Sequence, residues 1–148
     1  MIQIRKAQAQ DRGEIGALLR QSWLENWAPH VKPESLERFH AEDPVGQYLD
    51  GYLLAMFVAI SAGHVVGMAH VDGDMLHAVH VARVAQGRGV GSELLAHAEA
   101  IGARRLEVRL FNSRAHRFYL KRGWRESRRY MASEMGTLTE TIELVRQL

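Results

Sequence analysis

An α/β (α+β) domain, with a mixed, mostly antiparallel central sheet flanked by helices, is predicted by three observations. Three apolar runs, at about 54–60, 65–71 and 75–81, are divided only by Ser61-Ala62-Gly63-His64 and Asp72-Gly73-Asp74, which reads as an antiparallel meander. A glycine-rich stretch, Gln86-Gly87-Arg88-Gly89-Val90-Gly91, then opens a pattern in which Val90, Leu94, Leu95, Ala98 and Ile101 recur at helical spacing. Strand-like and helix-like segments follow one another with no repeat, low-complexity tract or long linker, so residues 1–148 read as one domain.

Each element has its own signal. Ile2-Gln3-Ile4 opens a strand over 2–7. Asp11 stands as an N-cap with Glu14 three residues on, and Ile15, Leu18, Leu19 and Trp23 form one face of a first helix. Residues 24–32, with Ala28 before Pro29, read as a loop, and Pro33 fits the first turn of a short second helix carrying Leu36 and Phe39. After the meander and the loop-helix unit over 86–102 come a strand at 105–110, a helix at about 113–121, and two closing strands at about 124–132 and 137–146. The predicted order is β-α-α-β-β-β-α-β-α-β-β.

Composition narrows the function classes. With 148 residues, 47% of them hydrophobic, the chain can bury a sizeable core. It has no cysteine, which excludes a disulfide framework, a thiolate nucleophile and a Cys-based zinc site; no metal is expected. A net charge of +2, from 19 basic and 17 acidic residues, is too balanced to argue for nucleic acid. The pairs Arg104-Arg105 and Arg128-Arg129 read as a solvated face. No run approaches the roughly 20 apolar residues of a membrane span, and no signal-peptide pattern opens the chain, so a cytoplasmic location away from membranes is expected.

The loop at 86–91 is the strongest chemical signal. Between a strand end and a helix start, unpartnered first-turn N–H groups and the positive end of the helix dipole suit a pyrophosphate. A side chain at Gly87, Gly89 or Gly91 would hold phosphate off the backbone or require an unfavourable φ. The P-loop reading is weakened because no Lys follows the glycines, and the Rossmann reading because the third Gly comes one residue early.

What remains, Q-x-x-G-x-G after a strand ending Val79-His80-Val81, resembles the acyl-CoA signature of the GNAT N-acetyltransferase superfamily. The later residues agree. Leu106 to Leu110, Asn112, Ala115, Phe118-Tyr119 and Gly123-Trp124 resemble that family's N-x-x-A-x-x-F-Y-x-x-x-G-[FW] strand and helix. The element order also resembles the whole GNAT fold, most weakly over the first 50 residues.

The resemblance implies an acetyl-CoA-dependent N-acyltransferase. Gln86, Gly87, Arg88, Gly89, Val90, Gly91 and Ser92 would hold the pyrophosphate, with Asn112 facing the CoA arm and also suited to cap the helix at Ser113. Val79, His80 and Val81 would offer main-chain partners to the pantetheine amides where two strands splay after a bulge, with an N–H near Val79 stabilising the oxyanion. Without a cysteine, direct attack by an acceptor amine is favoured over an acyl-enzyme. Tyr119 matches the family's helical tyrosine, the candidate acid for the departing thiolate.

One position departs from the pattern. Met75 stands where many relatives carry Glu, leaving His77 as the candidate base, with Asp74 and His80 as nearby substitutes. The acceptor wall would include Trp23, Trp27 and His30, although the two tryptophans equally suit anchoring a helix end to the core. The acceptor is an amine, on a small molecule or a protein, and a homodimer is compatible with the sequence. The competing reading is a non-catalytic acyl-CoA-binding sensor of the same fold.

Overall fold

The apolar runs pair edge to edge in a computed structural model that describes residues 2–147. Strands β1 (Gln3–Lys6), β2 (Met56–Ser61), β3 (His64–Asp72), β4 (Met75–Val81), β5 (Arg105–Arg109), β6 (Arg125–Glu134) and β7 (Thr137–Val145) form one seven-stranded sheet in the order β1-β2-β3-β4-β5-β7-β6. Every pairing is antiparallel except β4 with β5. Helices α1 (Arg12–Asn26), α2 (Pro33–Glu42) and α3 (Pro44–Tyr52) precede the meander; α4 (Val90–Ala100) and α5 (Ser113–Lys121) flank β5 in sequence.

The expected order lacks α3. Asp43 adopts φ +48, ends α2, and its carboxylate accepts the Gly46 N–H at 3.2 Å, so one residue stops one helix and caps the next. Asp43-Pro44 is thus a cap followed by Pro in the first turn, a start signal masked because α2 ends immediately before it. Asp11 also differs from expectation. Its carboxylate accepts the Gln8 N–H at 2.7 Å and both Arg5 guanidinium bonds, at 2.7 and 3.0 Å, and does not cap α1. Glu14 instead reaches β3 and accepts the Val65 N–H at 3.0 Å. The first helix runs on to Asn26, into the stretch read as loop, and Ile101 lies past the end of α4, exposed.

Two layers of apolar packing hold the helices to the sheet. Ile15, Leu18, Leu19, Trp23, Phe39 and Leu49, from α1 to α3, pack against Met56, Val58 and Met68. Leu95 and Ala98 of α4 and Tyr119 of α5 pack with Leu106, Val108, Ile142 and Leu144, joined by Trp124. Gly67 lets α4 approach β3. A Cβ there would stand 2.9 Å from Leu94, 3.0 Å from Val90 and 3.1 Å from the His80 carbonyl oxygen.

The sheet opens at β4. Its pairing with β3 slips between His70 and Val71, so that His77 is the extra residue of a bulge. Pairing with β5 covers only Met75 with Arg105 and Leu76 with Leu106. Beyond Leu76 the two parallel strands part.

Candidate active site

The parting of β4 from β5 leaves main-chain groups unpaired in the middle of the sheet. Ala82 donates to the Val66 carbonyl at 2.8 Å, and the register from Ala78 to Val81 is unbroken. Alternation therefore turns the N–H and C=O groups of Ala78 and His80 towards β3, and those of Val79 and Val81 towards the gap. The Val81 carbonyl indeed accepts the Gln86 side-chain amide at 3.3 Å from that side.

The glycine loop closes one end of the gap. Gly87 and Gly89 adopt φ +81 and +83, and a Cβ at either would meet nothing within 4 Å, so these glycines are required by conformation and face open space. Gly91 differs from expectation: it lies in the first turn of α4 at an ordinary φ, and a Cβ there would touch Phe118 at 3.5 Å. Among the described residues, no main-chain or side-chain acceptor takes the N–H groups from Gly87 to Ser92. Unpaired donors at a helix N-terminus make an anion cradle. Its rim is cationic: Arg114 donates to the Gln86 side-chain oxygen at 2.9 Å, and Arg122 donates to Ser92 Oγ while lying 3.8 Å over the Phe118 ring. Arg88 is exposed on the loop.

Two cavities share a wall here. The larger, of about 450 Å³, is lined by Val79, His80, Val81, the loop apart from Arg88, Ser92, Asn112, Phe118 and Tyr119. The smaller, of about 300 Å³, lies between β4 and β5 and includes Met75, His77, Glu107, Arg109 and Glu134. Trp27, Val79, His80, Asn112, Ala115 and Tyr119 line both, so the dividing wall is built from the residue after α1, from β4, and from α5 with its cap.

Of the expected site residues, Trp27, Val79, His80, Asn112 and Tyr119 converge on this wall, Val81 and the loop line only the larger cavity, and His77 lines only the smaller. Asn112 caps α5, its side-chain oxygen accepting the Ala115 N–H at 3.4 Å, while also lining both cavities. Tyr119 is buried, lines both cavities, and burial pushes its phenol above the ordinary value. His77, on the bulge, is exposed and stacks on buried His70 at 4.7 Å.

Trp23 does not converge. Its ring stacks on Phe39 at 4.0 Å in the core, outside both linings, which corrects its expected place in the acceptor wall. Its indole still contributes: Nε1 donates to Glu134 at 3.0 Å, and Glu134 also takes Arg109 at 3.1 Å. His30 stacks on Phe111 at 4.5 Å, outside both linings.

Several lining residues were not anticipated. Ser22 and Asn26 belong to α1, whose four-residue spacing from Ser22 to Asn26 and from Trp23 to Trp27 marks two stripes of one helix. Ser22 Oγ lies 2.8 Å from His80 Nδ1. Burial holds the His80 imidazole down to about 4.

Residues 53–126 match the acetyltransferase (GNAT) domain, half of the chain, from the end of α3 to the start of β6. The chain belongs to the GNAT family. The match spans the meander, the cradle and α5, and so includes every residue of the shared wall except Trp27. The whole fold agrees with solved GNAT-like structures. YjaB from Escherichia coli, in its apo form, superposes with a TM-score of 0.80 at 23% identity, over 98% of this chain and 97% of that one. A GCN5-related N-acetyltransferase from Rhodopseudomonas palustris gives 0.77 at 25% identity, over 99% and 95%. PaiA N-acetyltransferase from Thermoplasma acidophilum, in complex with coenzyme A, gives 0.67 at 20%, over 95% and 98%. No sequence among the curated proteins matches. Among the described residues, no helix is long and apolar enough to cross a membrane, and no group of three or more His, Asp or Glu side chains is arranged to hold a metal.

Proposed function

We propose that this GNAT protein is an N-acetyltransferase that moves the acetyl group of acetyl-CoA to a primary amine by direct attack in a ternary complex. The observation that carries the reading is the continuity of the unpaired N–H groups of the loop with the outward main chain of Val79 and Val81. A pyrophosphate needs the first, and an arm with two amides needs the second. Gln86, Gly87, Arg88, Gly89, Val90, Gly91 and Ser92 hold the pyrophosphate, with Arg114 and Arg122 adding charge at the rim. The arm lies against β4 like an added strand, past Asn112.

The thioester then reaches the shared wall, where the Val79 N–H points into the gap and stabilises the oxyanion. Tyr119, protonated throughout the neutral range, donates to the departing thiolate. The acceptor enters by the smaller cavity, past Trp27. The absence of cysteine from the whole chain supports direct attack without an acyl-enzyme.

The experiment is an acceptor-panel screen with acetyl-CoA, following free thiol release. Release that depends on an added amine supports the reading. A CoA-dependent thermal shift without release from any amine leaves an acyl-CoA-binding sensor, the reading that Met75 in the usual Glu position favours.

A further inference from the structure

Resting on that acetyl-transfer reading, we propose that His80 Nε2 takes the proton of the attacking amine and that Ser22 is its positioning residue. Two imidazoles line the smaller cavity, and their surroundings differ. His77 is exposed, touches that cavity alone, and is held only by ring stacking on His70. His80 is half-buried in the wall common to both cavities, where the acyl donor and the acceptor must meet. One of its nitrogens is fixed: Nδ1 lies 2.8 Å from Ser22 Oγ, and Asn26 donates to the same oxygen at 3.4 Å. The proposal assigns the ring proton to Nδ1, donated to Ser22, which leaves the Nε2 lone pair free; Nε2 has no hydrogen bond with the described residues.

The proton balance closes within the wall. The neutral amine nitrogen attacks the thioester carbonyl carbon, a C–N bond forms, and the ammonium proton passes to His80 Nε2. The C–S bond then breaks with its electron pair on sulfur, and Tyr119 gives the thiolate a proton. The His80 imidazolium returns its proton to the Tyr119 phenolate, directly or through solvent. Amine and thioester have become amide and thiol, and both side chains are restored.

The surroundings suit this cycle. Burial alone depresses the His80 imidazole, so it is neutral at physiological pH and has its lone pair available to accept a proton. Its imidazolium is correspondingly quick to give the proton up, and the Tyr119 phenolate, which burial disfavours, is ready to take it. On the side of the smaller cavity the other titratable groups are His77, Glu107 and the Arg109–Glu134 pair. On the loop side they are Arg114 and Arg122, and Tyr119 faces both.

Three measurements test the assignment, on the full chain with an amine that wild type acetylates. His80→Gln keeps volume and a polar tip, and is expected to lower kcat by about 10²-fold with KM for acetyl-CoA within about twofold. Ser22→Ala is expected to move the acidic limb of the kcat profile to lower pH, because the imidazolium loses the acceptor of its Nδ1–H and its conjugate acid strengthens. NMR of ¹⁵N-histidine protein is expected to find His80 neutral with its proton on Nδ1, a result that does not depend on how the variants fold. An Nε2–H ring, or an unchanged kcat in His80→Gln, overturns the role of His80 while leaving acetyl transfer intact. Loss of the acidic limb in His77→Gln but not in His80→Gln reassigns the base. A Ser22→Ala profile lowered evenly at every pH makes Ser22 merely structural. Thiol release with no amine in the panel is the separate result that takes down acetyl transfer, and this proposal with it.

Discussion

Gly89→Ala separates two things that a glycine in the cradle does. At φ +83 an alanine carries the left-handed cost of about 1–2 kcal/mol. Its Cβ meets nothing within 4 Å, so no packing penalty is added. For a chain of this length each kcal/mol moves Tm by about 3 °C, so the free variant is expected to melt about 3–6 °C lower. The same methyl projects into the space where a phosphate oxygen would approach the N–H groups, and binding should weaken at least about tenfold. With CoA at about 100 times the wild-type Kd, ligand stabilises wild type by about 2.7 kcal/mol, or about 8 °C. At the same concentration the variant gains about 1.4 kcal/mol or less, about 4 °C. The assay is thermal denaturation with and without CoA, with Gly13→Ala as the companion: Gly13 lies exposed in α1 with open space at its Cβ, and alanine there should raise Tm. A full CoA shift retained in Gly89→Ala refutes the cradle, and an unchanged free Tm refutes the conformational argument.

Tyr119→Phe removes one hydroxyl at the cavity wall and almost no volume, so its Tm should stay within about 2 °C of wild type. At saturating substrates kcat should fall about 10²-fold with the CoA shift unchanged; a rate within about twofold, with chemistry limiting, makes Tyr119 a packing residue. Stability should decline as pH falls from about 6.5 towards about 4, because unfolded histidines protonate at the first value while burial holds folded His80 to the second. Equilibrium denaturation across that range checks the sign, and His80→Gln should flatten the decline. Amide exchange should find the Val79 and Val81 N–H groups labile in the free protein and slowed by CoA, with Ala78 and His80 protected in both states; the reverse alternation would place the pantetheine elsewhere.

Local signals were read well wherever one residue type has one physical use. The meander followed from two short turns, and the cradle from glycines placed where φ is positive at Gly87 and Gly89. Asp43 and Asp11 show the limit. An aspartate before a helix is a cap in sequence, yet Asp11 is claimed by Arg5, whose partnership only the folded β1 makes available. Asp43 caps α3 from a left-handed conformation that no pattern announces. Trp23 and Trp27 carry the same spacing signal, but Phe39 covers the first and leaves the second at the cavity wall. Ser22 was invisible for a related reason: its partner His80 is 58 residues away, and the α1–β4 contact that joins them is tertiary.

The bulge at His77 connects these scales. One extra residue in β4 is a local event, but it resets which main-chain groups of the strand face β3, and with the loss of β5 after Leu76 it leaves the main chain of Val79 and Val81 with no strand to pair with on that side. An interior strand with unpaired donors is costly unless something pairs with it, and that cost is what a strand-like ligand relieves on binding. The same divergence opens the space between β4 and β5, so the cavity for the acceptor and the free edge for the donor arise together. Met75 and the two β4 histidines then line that opening from one strand, and the chemistry available to the amine follows from which imidazole the bulge exposes and which it leaves fixed against α1.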